Sequence, residues 1–218
     1  MPQTRKEVVD DLIQRILSSA DAEPQAAGTF NSSKTVSWKA LREAETLTDI
    51  ELIPTLKERI GSESDKKVRG AAYFILGKVA KNTEDDSVAQ FLIDRTSVEK
   101  DQYIVGSIFD SLADIIKPVG TDLSLLIEAT KNSKWLIRHS AISALKRSQD
   151  PRAEEVAIEI SRQSTDSFDV VYANEVLNDI GTMRAIPILE KHLSSRKRDV
   201  KDSAKYAVEA IQKRNPAS

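Results

Sequence analysis

The chain reads as an all-α solenoid of about six two-helix repeats, about twelve helices in all, and three observations carry that reading. One pattern recurs along it: a small or apolar residue followed four positions later by a branched apolar one. It appears at Ala72/Leu76, Ile108/Leu112, Ala141/Leu145, Ala173/Leu177 and Ala204/Val208, with a weaker copy at Ala40 and Ala44. Starting from Ala40 the steps are 32, 36, 33, 32 and 31 residues, a period suited to stacked helix pairs. Second, each copy spaces its apolar residues as one face of a helix, well seen in Ile137, Ala141, Ala144 and Leu145. Third, only 7 Gly and 7 Pro punctuate 218 residues, too few for many short strands, while the abundant Ala, Leu, Glu, Lys and Arg favour helix.

Taken in order, residues 4–18 form an amphipathic helix. Asp10, Asp11, Gln14 and Arg15 break its apolar positions, so it is no secretion-signal core. Residues 20–35 are long, mostly polar and Gly/Pro-bearing, a loop in which Phe30 is a candidate anchor over one end of a binding groove. Helices follow at 36–47, 49–60, 65–80, 85–96, 101–116, 122–131, 134–148, 151–163, 167–180, 183–194 and 198–213. Thr48-Asp49-Ile50-Glu51 is a capping box for the helix at 49–60. Glu84-Asp85-Asp86 places carboxylates at a helix N-terminus, where the macrodipole favours them, and lacks the ligand alternation of a calcium loop. Asp150-Pro151 is an N-cap followed by proline at the first helical position. Thr182 opens 183–194 similarly, without an acidic box partner. Pro54 and Pro187, in comparable places, are expected to bend their helices. The whole is one domain, 1–218: a divergent opening helix and loop (1–35), the repeats (36–213) and a frayed tail (214–218).

Composition excludes several classes. The longest apolar run, Ala71 to Leu76, is far short of the roughly 20 residues of a transmembrane helix, so no membrane association is expected and the chain reads as soluble and cytoplasmic. Cysteine is absent, which removes disulfides, thiol nucleophiles and thiolate metal sites. A net charge of −2 argues against nucleic acid as partner. The charge is uneven, however: residues 133–218 hold 15 basic and 12 acidic side chains, whereas 1–132 hold 17 and 22. No G-x-G-x-x-G or H-E-x-x-H occurs, and Gly77-Lys78 is followed by Val79 rather than completing a phosphate loop. His139 and His192 lie on different helices and are read as solvent-facing or capping. No catalytic residue, cofactor or metal is expected, and a monomer is.

The repeats resemble HEAT repeats, in particular the short bacterial type also found in phycobilisome lyase-like proteins. A V-R-x-x-A-x-x-A-L-like second helix is matched by Val68-Arg69-Gly70-Ala71-Ala72-Tyr73-Phe74-Ile75-Leu76 and by Ile137-Arg138-His139-Ser140-Ala141-Ile142-Ser143-Ala144-Leu145. The following turn and first helix are matched by Asp150-Pro151-Arg152-Ala153 and by Thr182-Met183-Arg184-Ala185-Ile186-Pro187-Ile188-Leu189. Arg69 and Arg138 match the family arginine, Lys201 replaces it, and Val105 and Val170 lose it. The resemblance implies a non-catalytic scaffold or adaptor that binds another protein or peptide along the concave surface of the second helices. It also opens two alternatives: a bilin lyase-like enzyme or accessory protein, and a DNA-binding or base-excision protein.

Candidate partner-binding residues lie near the starts of second helices. Lys66, Lys67 and Arg69, Lys134 and Arg138, and Lys197, Arg198, Lys201 and Lys205 would line up as a discontinuous basic ridge suited to an acidic partner; their ordinary reading is a solvated surface, with Arg69 and Arg138 paired to carboxylates. Trp38 and Trp135 would be binding anchors if exposed and packing between repeats if buried. Of the remaining aromatics, Tyr103 and Tyr172 are the two expected to reach the concave face.

Overall fold

A computed structural model describes residues 3–20 and 31–215. The expectation for Phe30 lies outside them. Among the described residues there are twelve α-helices, two short 3-10 turns and no strand, and none of the helices is long and apolar enough to cross a membrane. The residues carrying the repeat register are all at the bottom of the core: Ala40, Ala72, Ile108, Ala141, Ala173 and Ala204 are each 0% exposed. The chain forms two compact units, Met1–Val88 and Ala89–Ser218.

The first unit contains α1 (Arg5–Ile16), α2 (Val36–Ala44), α3 (Leu52–Ser62) and α4 (Lys66–Thr83). Thr4 and Glu7 cap α1 reciprocally: each backbone N–H donates to the other side chain. Val9, Leu12 and Ile13 then face inward, and α1 packs on α2, α3 and α4. The Arg15 guanidinium forks onto both carboxylate oxygens of Glu43 on α2. Asn82, near the end of α4, donates to the carbonyls of Glu45 and Leu47 just past α2.

Two local expectations change here. The capping box does not form: the N-cap of α3 is Glu51, without a side-chain cap bond, and Asp49 accepts from the Glu51 N–H in the turn before it. Pro54 does not bend α3: the helix begins at Leu52, so Pro54 sits in the first turn, where no intrahelical N–H is needed. At the other end, α4 continues to Thr83 and stops at Glu84, which takes the left-handed conformation (φ 53°). Glu84 is therefore the C-cap of α4. Asp85 is the carboxylate that turns the chain toward the next helix, accepting from the Ser87 N–H.

Beginning at the unit boundary, α5 (Val88–Thr96) leads to α6 (Gln102–Asp114), α7 (Ser124–Ala129), α8 (Trp135–Ser143), α9 (Pro151–Gln163), α10 (Ser167–Ile180), α11 (Ile186–His192) and α12 (Arg198–Arg214). Within the second unit the second helices pack in sequence, α6 on α8, α8 on α10 and α10 on α12, while α9 and α11 form the other layer behind them. Asp101, Asp150 and Asp166 each cap a helix by accepting the N–H two residues on. Pro187 again opens a helix instead of bending one: a 3-10 turn, Met183–Ala185, precedes α11, and Pro187 is in its first turn. The carboxylate missing from the local sequence around Thr182 comes from the preceding repeat. Buried Glu154 on α9 accepts from both the N–H and the hydroxyl of Thr182. Asn174, 0% exposed, joins layers in the same way, donating to Ser203 on α12 and accepting from Ser161 on α9.

The expected helix 134–148 ends early, at Ser143. Arg147 adopts a left-handed φ of 56°, and the chain there pairs with the segment leaving α6, Lys117 N–H to Arg147 O and Gln149 N–H to Lys117 O. That pairing drives the Lys117 side chain inward. It is 0% exposed, and its Nζ donates to the carbonyls of Leu112 and Ile115 at the end of α6. Burial lowers Lys117 from its ordinary 10.5 to about 7. The neutral amine's two N–H groups match the two carbonyls, whereas an ammonium would bring a third.

The sign of the resulting pH dependence follows from that shift. Between about 7 and 10.5 the unfolded chain binds a proton that the folded chain has released, so stability rises with pH through this window. Urea midpoints of the wild type are expected to increase from about pH 6 to about pH 9, and Lys117→Met is expected to remove most of that increase. Equal pH slopes in the two chains would assign the charge to some other group.

Candidate functional site

The face of the second unit opposite its core carries the chemistry. Helix α12 buries Val200, Ala204, Ala207 and Ile211. The spacing that buries them turns Asp199, Asp202, Ser203 and Tyr206 to a neighbouring face. Helix α10 similarly buries Val170, Ala173, Val176 and Leu177, leaving Phe168, Tyr172 and Glu175 on its open side. The two strips border a groove of about 520 Å³, with Val171 and Asn178 also in its lining. Phe168 is 58% exposed and Tyr206 60%, large apolar rings in water on a molecule that buries Phe109 and Tyr73 almost completely. No basic side chain lines the groove. Glu175 and Asp199 are exposed. Asp202 meets only its own helix's Arg198, at 3.3 Å, an i, i+4 pair with the guanidinium nearly all in solvent and so a weak one.

Behind the groove mouth lies a second cluster, built between α8 and α10. Arg138 runs along the start of α10, its Nε 2.8 and 3.0 Å from the two oxygens of Asp169 and its Nη2 3.0 Å from Asp166. It also donates to the carbonyls of Asn132 and Ser133. These bonds, Asp169 first, raise the arginine's pKa. Asp166 is held below the usual carboxylate range, chiefly by the Phe168 N–H and then by Arg138. His139 is buried here at 8% exposure, its ring 5.0 Å from Tyr172, 5.7 Å from Trp135 and 6.1 Å from Phe168. Its Nε2 stands 3.0 Å from Asp169 Oδ1 without a hydrogen-bond alignment. His139, Asp166 and Asp169 bring three ligand atoms close enough to suggest a metal ion, but the Arg138 guanidinium already satisfies both carboxylates and is the cation of that cluster. The cluster positions: it fixes the rings of Trp135, Phe168 and Tyr172 relative to one another.

The residues singled out from the sequence are distributed as follows. Trp135 and Tyr172 flank His139, and Tyr172 lines the groove. Tyr103 on α6 is 71% exposed and outside the groove lining. Trp135 is exposed at 64% and Trp38 at 39%, so neither is the buried filler that helix-to-helix packing alone would suggest; the Arg42 guanidinium covers the Trp38 ring at 5.6 Å. The basic side chains of the second unit take different environments. Arg138 is paired inward, as just described. Lys134 is exposed at the start of α8. Lys201 and Lys205 point along a different stripe of α12 from the groove, Lys205 toward Glu209 at 3.9 Å. In the first unit, Lys66 and Lys67 are exposed, and Arg69 donates to the carbonyls of Glu63 and Ser64 before α4.

Sequence reasoning missed Phe168, Glu175, Asp199 and Asp202, read Tyr206 as packing, and read His139 as solvent-facing. The signal was present. Relative to the small residue of each repeat, the position two residues on holds Asp110, Ser143, Glu175 and Tyr206, and the position five residues before holds Tyr103, Phe168 and Asp199. Those residues are exposed or half-exposed, but the offset five before holds buried Thr35 in the first copy and half-buried Leu136 in the fourth, so the signal is incomplete.

Neither a protein-family model nor a curated protein matches the chain. Among solved structures it is similar to a designed armadillo repeat protein at 14% identity and a TM-score of 0.54, covering 93% of this chain and 99% of that one. It is similar also to a computationally designed armadillo repeat protein made for modular peptide recognition, at 13% identity and 0.53 over 93% and 99% of the two chains. An engineered protein matches at 18% and 0.54 over 94% of this chain and 58% of its own. These likenesses show the fold, an all-α helical-repeat solenoid.

The α8–α10 cluster has a measurable weight. Asp169→Ala leaves half-buried Arg138 with only Asp166 and two carbonyls and removes the carboxylate beside buried His139, and is expected to lower unfolding free energy by about 2 kcal/mol. An Arg138→Met/Asp169→Leu double variant, which removes both charges together, is expected to recover most of that loss. Urea unfolding of the three chains checks it.

Proposed function

We propose that this chain is a HEAT-type repeat scaffold that binds an extended peptide or a protein segment on the open faces of its second helices, and that it acts by holding a partner instead of by catalysis. The observation that carries the reading is the groove between α10 and α12, where Phe168 and Tyr206 stand 58% and 60% exposed on either wall. Exposed aromatic rings on rigid helices are efficient binding anchors: they contribute large contact area and lose little side-chain freedom on binding. Stacked repeats offer such residues in a line, which suits an extended segment better than a small molecule. The similarity to a solenoid designed for modular peptide recognition is in keeping with this.

Within the reading, the sequence-derived residues take different parts. Tyr172 lines the groove, Trp135 and Tyr103 extend the exposed aromatic surface over α8 and α6, and Arg138 positions α10 from behind. Lys134, Lys201 and Lys205 are outside the groove lining, and nothing in the arrangement of the groove calls for an acidic partner.

The test is selection from a random peptide library on the immobilised full chain. Peptides are expected to be enriched, and Phe168→Ala and Tyr206→Ala are each expected to weaken them about tenfold or more. Met183→Ala, an equally exposed apolar residue (52%) on the other helix layer, is expected to leave binding unchanged. An unenriched library, or peptides that bind the Phe168→Ala/Tyr206→Ala double variant as tightly as the parent, would overturn the proposal.

A further inference from the structure

Resting on the peptide-binding reading, we infer that the α10–α12 groove selects cationic segments, taking Lys or Arg side chains between its aromatic walls and its carboxylates. The groove has two kinds of wall chemistry and no other strong feature: aromatic faces at Phe168, Tyr172 and Tyr206, and carboxylates at Glu175, Asp199 and Asp202. A ring face attracts a cation through its quadrupole, and a nearby carboxylate adds a directed hydrogen-bond acceptor. An aliphatic ligand would satisfy the rings and leave the carboxylates desolvated without partners. An acidic one would be repelled by them. Only a side chain that is both long and positively charged uses both.

The acceptors are available: neither Glu175 nor Asp199 has a side-chain partner among the described residues. Asp202 already holds a guanidinium, that of Arg198, in a pair exposed enough to exchange for a ligand's. The acceptors are also spread across both walls, Glu175 on α10 against Asp199 and Asp202 on α12, and packed helices stand about 8–10 Å apart. A guanidinium or ammonium entering between them meets carboxylates from two sides. The aromatic rings are held for this task by the cluster behind them, since Asp166 accepts the Phe168 N–H while tied to Arg138, and Tyr172 stacks toward His139. The volume, about 520 Å³, accommodates side chains rather than a folded domain.

Fluorescence anisotropy of the full chain with three labelled peptides of equal length tests the inference: alternating Arg-Ala, alternating Gln-Ala and alternating Glu-Ala. The Arg-Ala peptide is expected to bind about tenfold or more tighter than the Gln-Ala peptide and to weaken as salt rises, with the Glu-Ala peptide weakest. Glu175→Gln/Asp199→Asn is expected to abolish the preference, and Glu190→Gln, an exposed carboxylate on α11, to leave it intact. The Phe168→Ala/Tyr206→Ala variant is expected to weaken the Arg-Ala peptide too. Binding of all three peptides alike, a preference for Glu-Ala, or an Arg-Ala preference that survives Glu175→Gln/Asp199→Asn would overturn the cationic selectivity and leave the peptide-binding reading standing. Absence of binding by any of the three would overturn the selectivity, and the library selection then decides the broader reading separately. Circular dichroism of each variant guards against loss of fold.

Discussion

Everything in the second unit depends on how closely its second helices approach one another. Ala141, Ala173 and Ala204 are fully buried where α8, α10 and α12 meet, and a side chain that ends at Cβ lets neighbouring backbones close to the short end of the usual helix separation. Leu145 and Leu177, four residues on, fill the space that the alanines leave. Gly181 meets the same constraint at the end of α10: a Cβ there would run into the Leu177 carbonyl and press on Ile211 of α12. Close approach on the core side fixes which residues stand on the open side. Once Val200, Ala204, Ala207 and Ile211 are committed inward, the helical repeat leaves Asp199, Asp202 and Tyr206 no place but the neighbouring surface.

Polar side chains then fasten one repeat to the next, and nearly all of those contacts run between residues about one repeat apart. Glu154 caps the turn at Thr182, Asn174 reaches Ser203, Arg138 reaches Asp166 and Asp169, and Arg147 takes Asp179 on its N–H. Each joins a group left unsatisfied in one repeat to a partner that the neighbour supplies, which is why local sequence looks incomplete at these points. Lys117 satisfies orphan groups locally instead. A basic side chain enters the core because two helix-end carbonyls need donors, and it does so at the expense of its charge.

The architecture was legible because it is written in short-range terms. Helices 151–163 and 167–180 coincide with α9 and α10, and the repeat register passes through fully buried residues in every copy. What could not be read were features set by a partner some 30 residues away. The helix expected to run to 148 stops at Ser143, where the segment leaving α6 pairs with Arg147 to Gln149, a contact without any local signature. Pro54 and Pro187 were placed correctly in sequence but assigned bends, because the helices were expected to start a few residues earlier than Leu52 and Ile186. His139 looked solvent-facing because burial by Trp135, Phe168 and Tyr172 comes from two helices at once.

The candidate site shows the same division, and it bears on how charge should be read in a repeat protein. Residues 133–218 carry more basic than acidic side chains, and counting them along the sequence points toward an acidic partner. Folding sorts those charges by helix face. Arg138 is turned inward onto two aspartates, Lys201 and Lys205 take an outer stripe of α12, and the carboxylates Glu175, Asp199 and Asp202 are left facing the groove. A partner responds to the charges within a Debye length of where it lies, about 8 Å at physiological salt, and the charged side chains that line the groove are carboxylates although its half of the chain is net basic. Net charge constrains solubility and long-range encounter. The sign of a binding surface is set by which charges the core packing leaves on it.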